Sequence, residues 1–393
     1  MRRKTVVAGI GMVPFAKPGA SESYDKMGAS AARLALADAG LGYEKIQQAY
    51  AGFIYGDSCC GQRALYEVGL TGIPIFNVNN NCSTGSTAIY LARQAIESGA
   101  ADIVLAVGFE QMKPGALGAH YLDRPVPTDR FDDLARSETG LADLAPALLL
   151  FGSAGLAHMR RYGTSMETFA KIRAKASRHA ARNPLAVFRK EVSAEEVMAD
   201  QVIWPGVMTR LMACPPTCGA AAAVLCSEEA ARRLGLDTRV WIAGQALTTD
   251  GPETFDRNDM RNIAGYGMAQ RAARQAYDIA GIGPEDVDVV ELHDCFAHNE
   301  LLTYEALGLC PEGGAQGFVD DGDNTYGGRY VVNPSGGLLS KGHPIGATGL
   351  AQCVELTQQL RGAAQARQVE GARVALQHNV GIGGACVVTV YRN

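Results

Sequence analysis

The sequence predicts an α/β fold made of two similar halves with a segment inserted between them, and three observations predict it. Residues Ala31 to Glu44, AARLALADAGLGYE, match Ala272 to Glu285, AARQAYDIAGIGPE, at eight of fourteen positions, and self-similarity of this kind signals a repeated unit. Strand-like apolar runs (DIVLAVGF, VDVVELHD, RVALQHNV, ACVVTVY) alternate with helical ones, the pattern of sheets covered by helices. Between the halves, roughly Lys113 to Cys214, strand alternation fades and the helices become more polar.

The start, MRRKTVVAGIGMVPFA, has basic residues followed by apolar ones, as a secretory signal does, but Gly9, Gly11 and Pro14 interrupt the apolar part. VVAGIG is therefore read as a first strand. In both copies of the repeat a helix ends in Gly and leads into an apolar run. Further on, FNVNNNCSTGSTAIYLARQAI places small polar residues, good helix-entry types, before an amphipathic run, so a helix is expected to begin close to Cys82. A weaker repeat relates GSTAIYLARQAIESG from Gly85 to GATGLAQCVELTQQLRG from Gly346. Aligning those glycines sets Cys82 opposite His343, one at the strand-to-helix corner of each half. The expected organisation is residues 1–112 and 215–236 as the first half, 113–214 as the insertion, and 237–393 as the second half.

Composition narrows the class. The chain has 393 residues, 47% hydrophobic and 20% charged, enough for more than one packed unit in an ordinary soluble protein. A formal net charge of -5 argues against nucleic acid or an anionic membrane as the main partner. Ten cysteines are scattered along a chain rich enough in apolar residues to build a core, so a reduced, cytoplasmic protein is expected rather than a disulfide framework. No apolar run reaches the roughly 18 residues of a membrane span, and VYRN is not a peroxisomal address. Locally, Arg160 to Lys190 carries nine Lys or Arg against one acidic residue, Glu167. Such a stretch is either a solvated helix face or a surface for phosphates.

Four stretches carry candidate chemistry: the loop around Cys82; VVELHDCFAHNE with His293 and Cys295; NPSGGLLSKGHPIGATG with His343; and LQHNVGIGGACVV with Asn379, Gly381 and Gly383. Each begins or ends an apolar run and is rich in turn formers, so all four belong at strand ends where loops converge. At a helix N-terminus, unpaired N–H groups favour a thiolate, which makes Cys82 a candidate nucleophile. Two other readings fail on spacing. GIGMVP meets a proline and GIGGA runs into a strand, so neither is a dinucleotide fingerprint; CPPTC, Cys214 to Cys218, lacks a second ligand pair at zinc spacing. No metal is expected.

Together, NNNCSTGS, HDCF, GHPIGATG and HNVGIGGA, in this order along essentially the whole chain, resemble the thiolase superfamily, and specifically its sterol carrier protein 2-type members. The resemblance implies a five-layered αβαβα fold of two related halves, with an inserted loop domain that binds coenzyme A as substrate and no permanently bound cofactor. It also implies acyl transfer: thiolytic cleavage of a 3-ketoacyl-CoA by CoA, or the reverse condensation, in fatty acid or steroid metabolism. One departure stands out. Where classical thiolases have a second catalytic cysteine, this chain has Asn379, and the subtype it resembles uses the cysteine of HDCF, here Cys295.

The chemistry explains the residue types. Cleavage between the α and β carbons needs a soft nucleophile, Cys82, that later gives up its acyl group. It needs a base beside it, His343, and a second acid for the departing carbanion, Cys295. Fixed donors are expected at both oxyanions: His293 with His343 for the enolate, and the backbone N–H groups of Cys82 and Gly381 for the tetrahedral species. Partners implied are acyl-CoA and CoA, a second copy or three more of the same chain, and a small OB-fold protein. Two alternatives are a retro-aldol lyase of steroid side-chain CoA esters, which needs no acyl-cysteine, and a non-catalytic lipid carrier or scaffold, which needs none of these thiols and imidazoles.

Overall fold

The structure, a computed structural model, describes residues 3–115, 118, 121, 123–141 and 143–393; Met1 and Arg2 of the basic start lie outside the described residues. The first half comprises β1 (Thr5–Met12), α1 (Tyr24–Ala39), β2 (Gln48–Gly52), α2 (Cys60–Tyr66), β3 (Ile75–Val78), α3 (Thr84–Glu97) and β4 (Ile103–Glu110). Then follow α4 (Asp129–Thr139), α5 (Pro146–Tyr162), α6 (Met166–Ala181), α7 (Ala194–Met198) and the short β5 (Val202–Trp204) and β6 (Met208–Thr209). The chain returns through β7 (Gly219–Ser227) and α8 (Glu228–Leu234). The second half has β8 (Trp241–Thr248), α9 (Tyr266–Ala280), β9 (Val289–Glu291), α10 (Ala297–Ala306), α11 (Ala315–Asp320), β10 (Val331–Val332), α12 (Thr348–Arg361), β11 (Val374–Gly381) and β12 (Ala385–Arg392).

Strand order is β10-β9-β11-β12-β8-β1-β7-β4-β2-β3. β1 and β8 share a single registered pair, Val6 with Trp241, so this is two five-stranded sheets touching at one seam. Read outward from the seam, the orders 1-7-4-2-3 and 8-12-11-9-10 are the same topology twice. The repeat in the sequence is the reason. In both copies the helix ends at an alanine and is closed by a glycine in the left-handed conformation, Gly40 or Gly281, followed by a short 3₁₀ turn. The shared alanines are also explained: a Cβ on Gly9 of β1 would lie 2.3 Å from the Ala35 carbonyl oxygen, and one on Gly244 of β8 would lie 2.1 Å from that of Ala276. Only glycine against alanine lets strand and helix approach this closely.

Period-two alternation sorts the side chains into layers. Val6, Leu105, Val107, Ala222 and Val224 face the outer core with α1, whereas Val7, Val104, Ala106, Ala221 and Leu225 face the interior with α3 and α12. In the second sheet Leu376, Val388 and Val390 face α9 and α10, and Ala375 and Tyr391 face the shared middle layer. The result is the five-layered αβαβα arrangement. α3 packs on α12, and their aligned glycines meet: a Cβ on Gly85 would be 3.0 Å from the Gly346 carbonyl oxygen. Both helix N-termini therefore converge at one point inside the molecule.

One expectation holds and another needs correction. The third helix starts at Thr84 with Ser83 as N-cap, close to the cysteine as expected, after a turn in which Asn81 adopts a left-handed conformation (φ 49°). The basic stretch is not one face. Of its nine cations, Arg173 and Lys175 are buried, the first bonded to the Ser340 hydroxyl and the second paired with Glu300, because α6 is covered on one side by the second half. Arg160, Arg161, Arg178, Arg182, Arg189 and Lys190 remain exposed. All ten cysteines are free, and no helix among the described residues is long and apolar enough to cross a membrane.

Candidate active site

The site lies where the N-termini of α3 and α12 meet the ends of β3, β4, β9 and β11. Four turns build it. After β3, Asn80 and Asn81 fold the chain back: the Ser83 hydroxyl and N–H both donate to the Asn80 carbonyl (2.8 and 3.2 Å), and Thr84 N–H donates to that of Asn81 (3.0 Å). This holds Cys82 at the corner, 5% exposed. The Asn81 amide donates to the Ile382 carbonyl (3.0 Å), tying the loop to the turn between β11 and β12.

Gly381 ends β11 against this loop. A Cβ there would lie 2.3 Å from the Asn80 carbonyl oxygen, so any side chain must displace the turn that carries Cys82. Gly381→Ala is expected to destabilise the fold by about 1–3 kcal/mol and to slow acylation of Cys82; urea unfolding and adduct formation measure the two effects separately. The N–H groups at the sulfur itself are those of Cys82 and Ile382.

After β9, His293 and Cys295 flank the buried Asp294, whose carboxylate accepts the Leu338 and Leu339 N–H groups (2.7 and 3.3 Å). His343 follows a π-turn over Gly337–Lys341. The ligating atoms of Cys82, His293 and His343 lie within 4.8 Å of one another, and the two imidazoles stand edge to face with centroids 5.0 Å apart. The corners aligned by the weaker repeat thus meet. Among the described residues, this trio is the group close enough to share one soft cation.

Hydrogen-bond direction assigns the His343 tautomer. The Thr348 hydroxyl donates to the Pro344 carbonyl (3.0 Å), so its oxygen accepts from His343 Nδ1–H (2.7 Å). His343 Nε2 is then a lone pair, and it is buried without a partner. Burial, with the nearby Lys341 charge second, pushes this imidazole down to about 3. It is neutral throughout the physiological range.

The thiols behave differently from the sequence-based expectation. Burial and then the Glu110 carboxylate push Cys82 up to about 12, outweighing the N–H groups that lower it. A helix N-terminus favours a thiolate, but a dry pocket disfavours any lone charge more strongly. Cys295 is driven well above its ordinary value by burial, then by Cys214, Cys82 and Asp294. Cys214 belongs to the same cluster: its N–H donates to the Cys295 carbonyl (2.8 Å), and burial followed by Cys82 raises its thiol.

Sequence reasoning passed over Glu110 and Thr348, and weighed Cys214 only as a zinc ligand. Glu110, at the end of an otherwise apolar strand, is 1% exposed. It accepts N–H groups of Ile54, Tyr55 and Gly346 (3.1, 2.9 and 3.0 Å), joining loops of both halves beneath the thiol. A single carboxylate closing an apolar run was the available signal. Burial raises it from 4.5 to about 7. Between those values the folded protein keeps a proton that the unfolded chain has released, so this contribution is full below about pH 4.5 and is lost as pH rises through about 7. Glu110→Gln is expected to flatten the slope of stability against pH in that window, read from urea midpoints.

Beside Gly381 a pocket of about 10 Å³ is lined by Phe131, Phe151, Met268, Val380, Gly381 and Ile382. Asp250 also lines it, so its wall is part polar.

Known proteins resemble this chain over nearly its whole length. The family described as "Thiolase, N-terminal domain" matches residues 5–229, and "Thiolase C-terminal domain-like" matches residues 251–392. The chain is 53% identical to "Sterol carrier protein 2" of Homo sapiens over 394 residues, covering 99% of this chain and 72% of that protein. It is 36% identical to "Benzoylsuccinyl-CoA thiolase subunit BbsB" of Thauera aromatica over 389 residues, covering 98% and 96%. Among solved structures, "Ltp2-ChsH2(DUF35) aldolase" superposes with a TM-score of 0.83 at 23% identity, covering 99% of this chain and 97% of that one, a likeness of fold.

Proposed function

The chain belongs to the thiolase family, and from that premise we propose that it cleaves 3-ketoacyl-CoA esters with CoA, or runs the reverse condensation, through an acyl group carried on Cys82. The observation that carries this reading is the juxtaposition of the Cys82 sulfur with an imidazole, His343, whose Nε2 lone pair is free. His343 takes the thiol proton as sulfur bonds to the 3-keto carbon, so that no thiolate has to exist alone in a dry site. Backbone N–H groups of Cys82 and Gly381 hold the tetrahedral oxyanion. The Cα–Cβ bond breaks, its electrons passing to the thioester as an enolate held by His293 and His343. Cys295 then delivers a proton to the α-carbon, releasing acetyl- or propionyl-CoA. A CoA thiol, giving its proton to the Cys295 thiolate, attacks acyl-Cys82; acyl-CoA leaves and the Cys82 thiol is restored.

The insertion, residues 113–214 with its exposed arginines, receives the CoA phosphates. A homodimer or tetramer is proposed as the working assembly, with a small OB-fold protein as its companion. The relative that is a thiolase subunit favours acyl transfer. A retro-aldol lyase would leave the Cys82–His343 pair without work, and a scaffold would leave the whole cluster so. Incubation with acetyl-CoA, and with short, long and steroid 3-ketoacyl-CoA esters, followed by mass mapping, is expected to place one acyl group on Cys82. Label on another residue, or none with every ester, rejects the proposal.

A further inference from the structure

We infer that Asn379, oriented by Ser86 and Gln377, is a positioning residue that locks His293 in the Nε2–H tautomer, making it a hydrogen-bond donor where His343 is an acceptor. The inference rests on the enolate role proposed for His293. A backbone carbonyl starts the chain of directions. Gln377 Nε2 donates to the Gly349 carbonyl (2.6 Å), an atom that can only accept, and its Oε1 accepts the Tyr391 hydroxyl (2.6 Å), so the Gln377 amide has one orientation. Its second N–H reaches Ser86 Oγ (2.8 Å). Ser86 then donates its single hydroxyl proton to Asn379 Oδ1 (2.8 Å). That leaves Asn379 Nδ2 facing His293 Nδ1 (2.9 Å). An amide nitrogen only donates, so Nδ1 accepts and the ring proton sits on Nε2.

Every member of this chain is buried: Gln377, Ser86, Asn379 and Tyr391 at 0% and His293 at 1% exposure. Water does not offer competing partners there, so the directions propagate without a break. Burial, then the His343 and His378 rings, hold His293 far below the usual imidazole range. It is therefore a neutral donor. The two imidazoles beside Cys82 present opposite faces of the same chemistry: Thr348 leaves His343 with a lone pair, and Asn379 leaves His293 with an N–H. An asparagine is needed for this, because a thiol or hydroxyl at 379 could either give or take a hydrogen bond and would leave the tautomer open.

Selective ¹⁵N-histidine labelling of the full chain reads the tautomers directly, with His293 assigned by its loss in His293→Gln. The wild type is expected to show His293 protonated at Nε2 and His343 at Nδ1. Asn379→Asp places an acceptor-only carboxylate at Nδ1, which draws the proton there, as carboxylate–histidine pairs do. In that variant the ¹⁵N pattern of His293 should invert. Exchange of acetyl-CoA α-protons with deuterated water should fall about 100-fold, the scale for loss of one oxyanion donor, while acylation of Cys82 falls far less. Zn²⁺ affinity should rise at least about tenfold, because Cys82, His293 and His343 would then all offer lone pairs and the carboxylate would support one of them. Asn379→Leu, which keeps bulk without any hydrogen bond, should populate both His293 tautomers. His293 protonated at Nδ1 in the wild type, or wild-type exchange in Asn379→Asp, overturns the inference. A wild type that neither acylates nor exchanges rejects the thiolase reading instead, and the ¹⁵N and zinc measurements still judge the tautomer lock.

Discussion

Cys295→Ala is expected to form the acyl adduct at Cys82 from acetyl-CoA but to lose thiolysis and α-proton exchange together, each by about 10²–10⁴-fold, the range for a positioned acid–base group. The reason lies at residue 379. An amide neither gives nor takes a proton at working pH, and in this chain Asn379 already spends its hydrogen bonds on Ser86 and His293. The proton for the α-carbon must come from a neighbouring thiol, and Cys295 is electrostatically coupled to Cys82 across the site. Both losses should occur in step because one carrier serves both. Cys214, in the same cluster, is the group that would keep partial exchange in the variant, and the double variant with Cys214→Ala would reveal it. Near-normal exchange with both thiols gone would move the role to an imidazole or a bound water.

His343→Ala is expected to slow acylation of Cys82, and its alkylation by iodoacetamide near neutral pH, by about 10²–10⁴-fold. With the thiol held up at about 12, free thiolate is scarce at neutral pH and the proton must leave during attack. His343 Nε2 is the buried lone pair placed to take it. In the wild type the alkylation rate should stay nearly flat between about pH 6 and pH 9, with no step near the ordinary histidine value, because His343 is held at about 3 and the thiol at about 12, so neither titrates in that window. A sigmoidal step centred near about 6.5 would show instead a resting ion pair, which the buried geometry disfavours.

The fold was legible where the chain repeats itself. The shared alanines before Gly40 and Gly281 pack against glycines of β1 and β8 with no room for a larger side chain, so they recur in both halves and can be read. The four loops were legible because turn formers flank chemically active residues. What could not be read depends on three-dimensional direction. Nothing in GHPIGATG says that Thr348 donates to Pro344 and so orients His343; nothing in GFEQM says that Glu110 reaches Gly346, 236 residues away. The state of Cys82 was misjudged for a related reason. Helix entry is local and visible in sequence, whereas burial is collective and is not. Arg173 and Lys175 were read as surface for the same cause.

The shared corner of the two halves carries a lesson about symmetry. If two identical copies met there about a twofold axis, like would face like, thiol against thiol or imidazole against imidazole. Such a pair has no preferred direction for a proton. In this chain the equivalent corners hold Cys82 and His343, so the arrangement has a giving side and a taking side although the backbone around it is nearly symmetric. That difference requires both copies to be encoded separately, each free to change alone. Linking the halves in one polypeptide is thus what allows a symmetric scaffold to do directional chemistry.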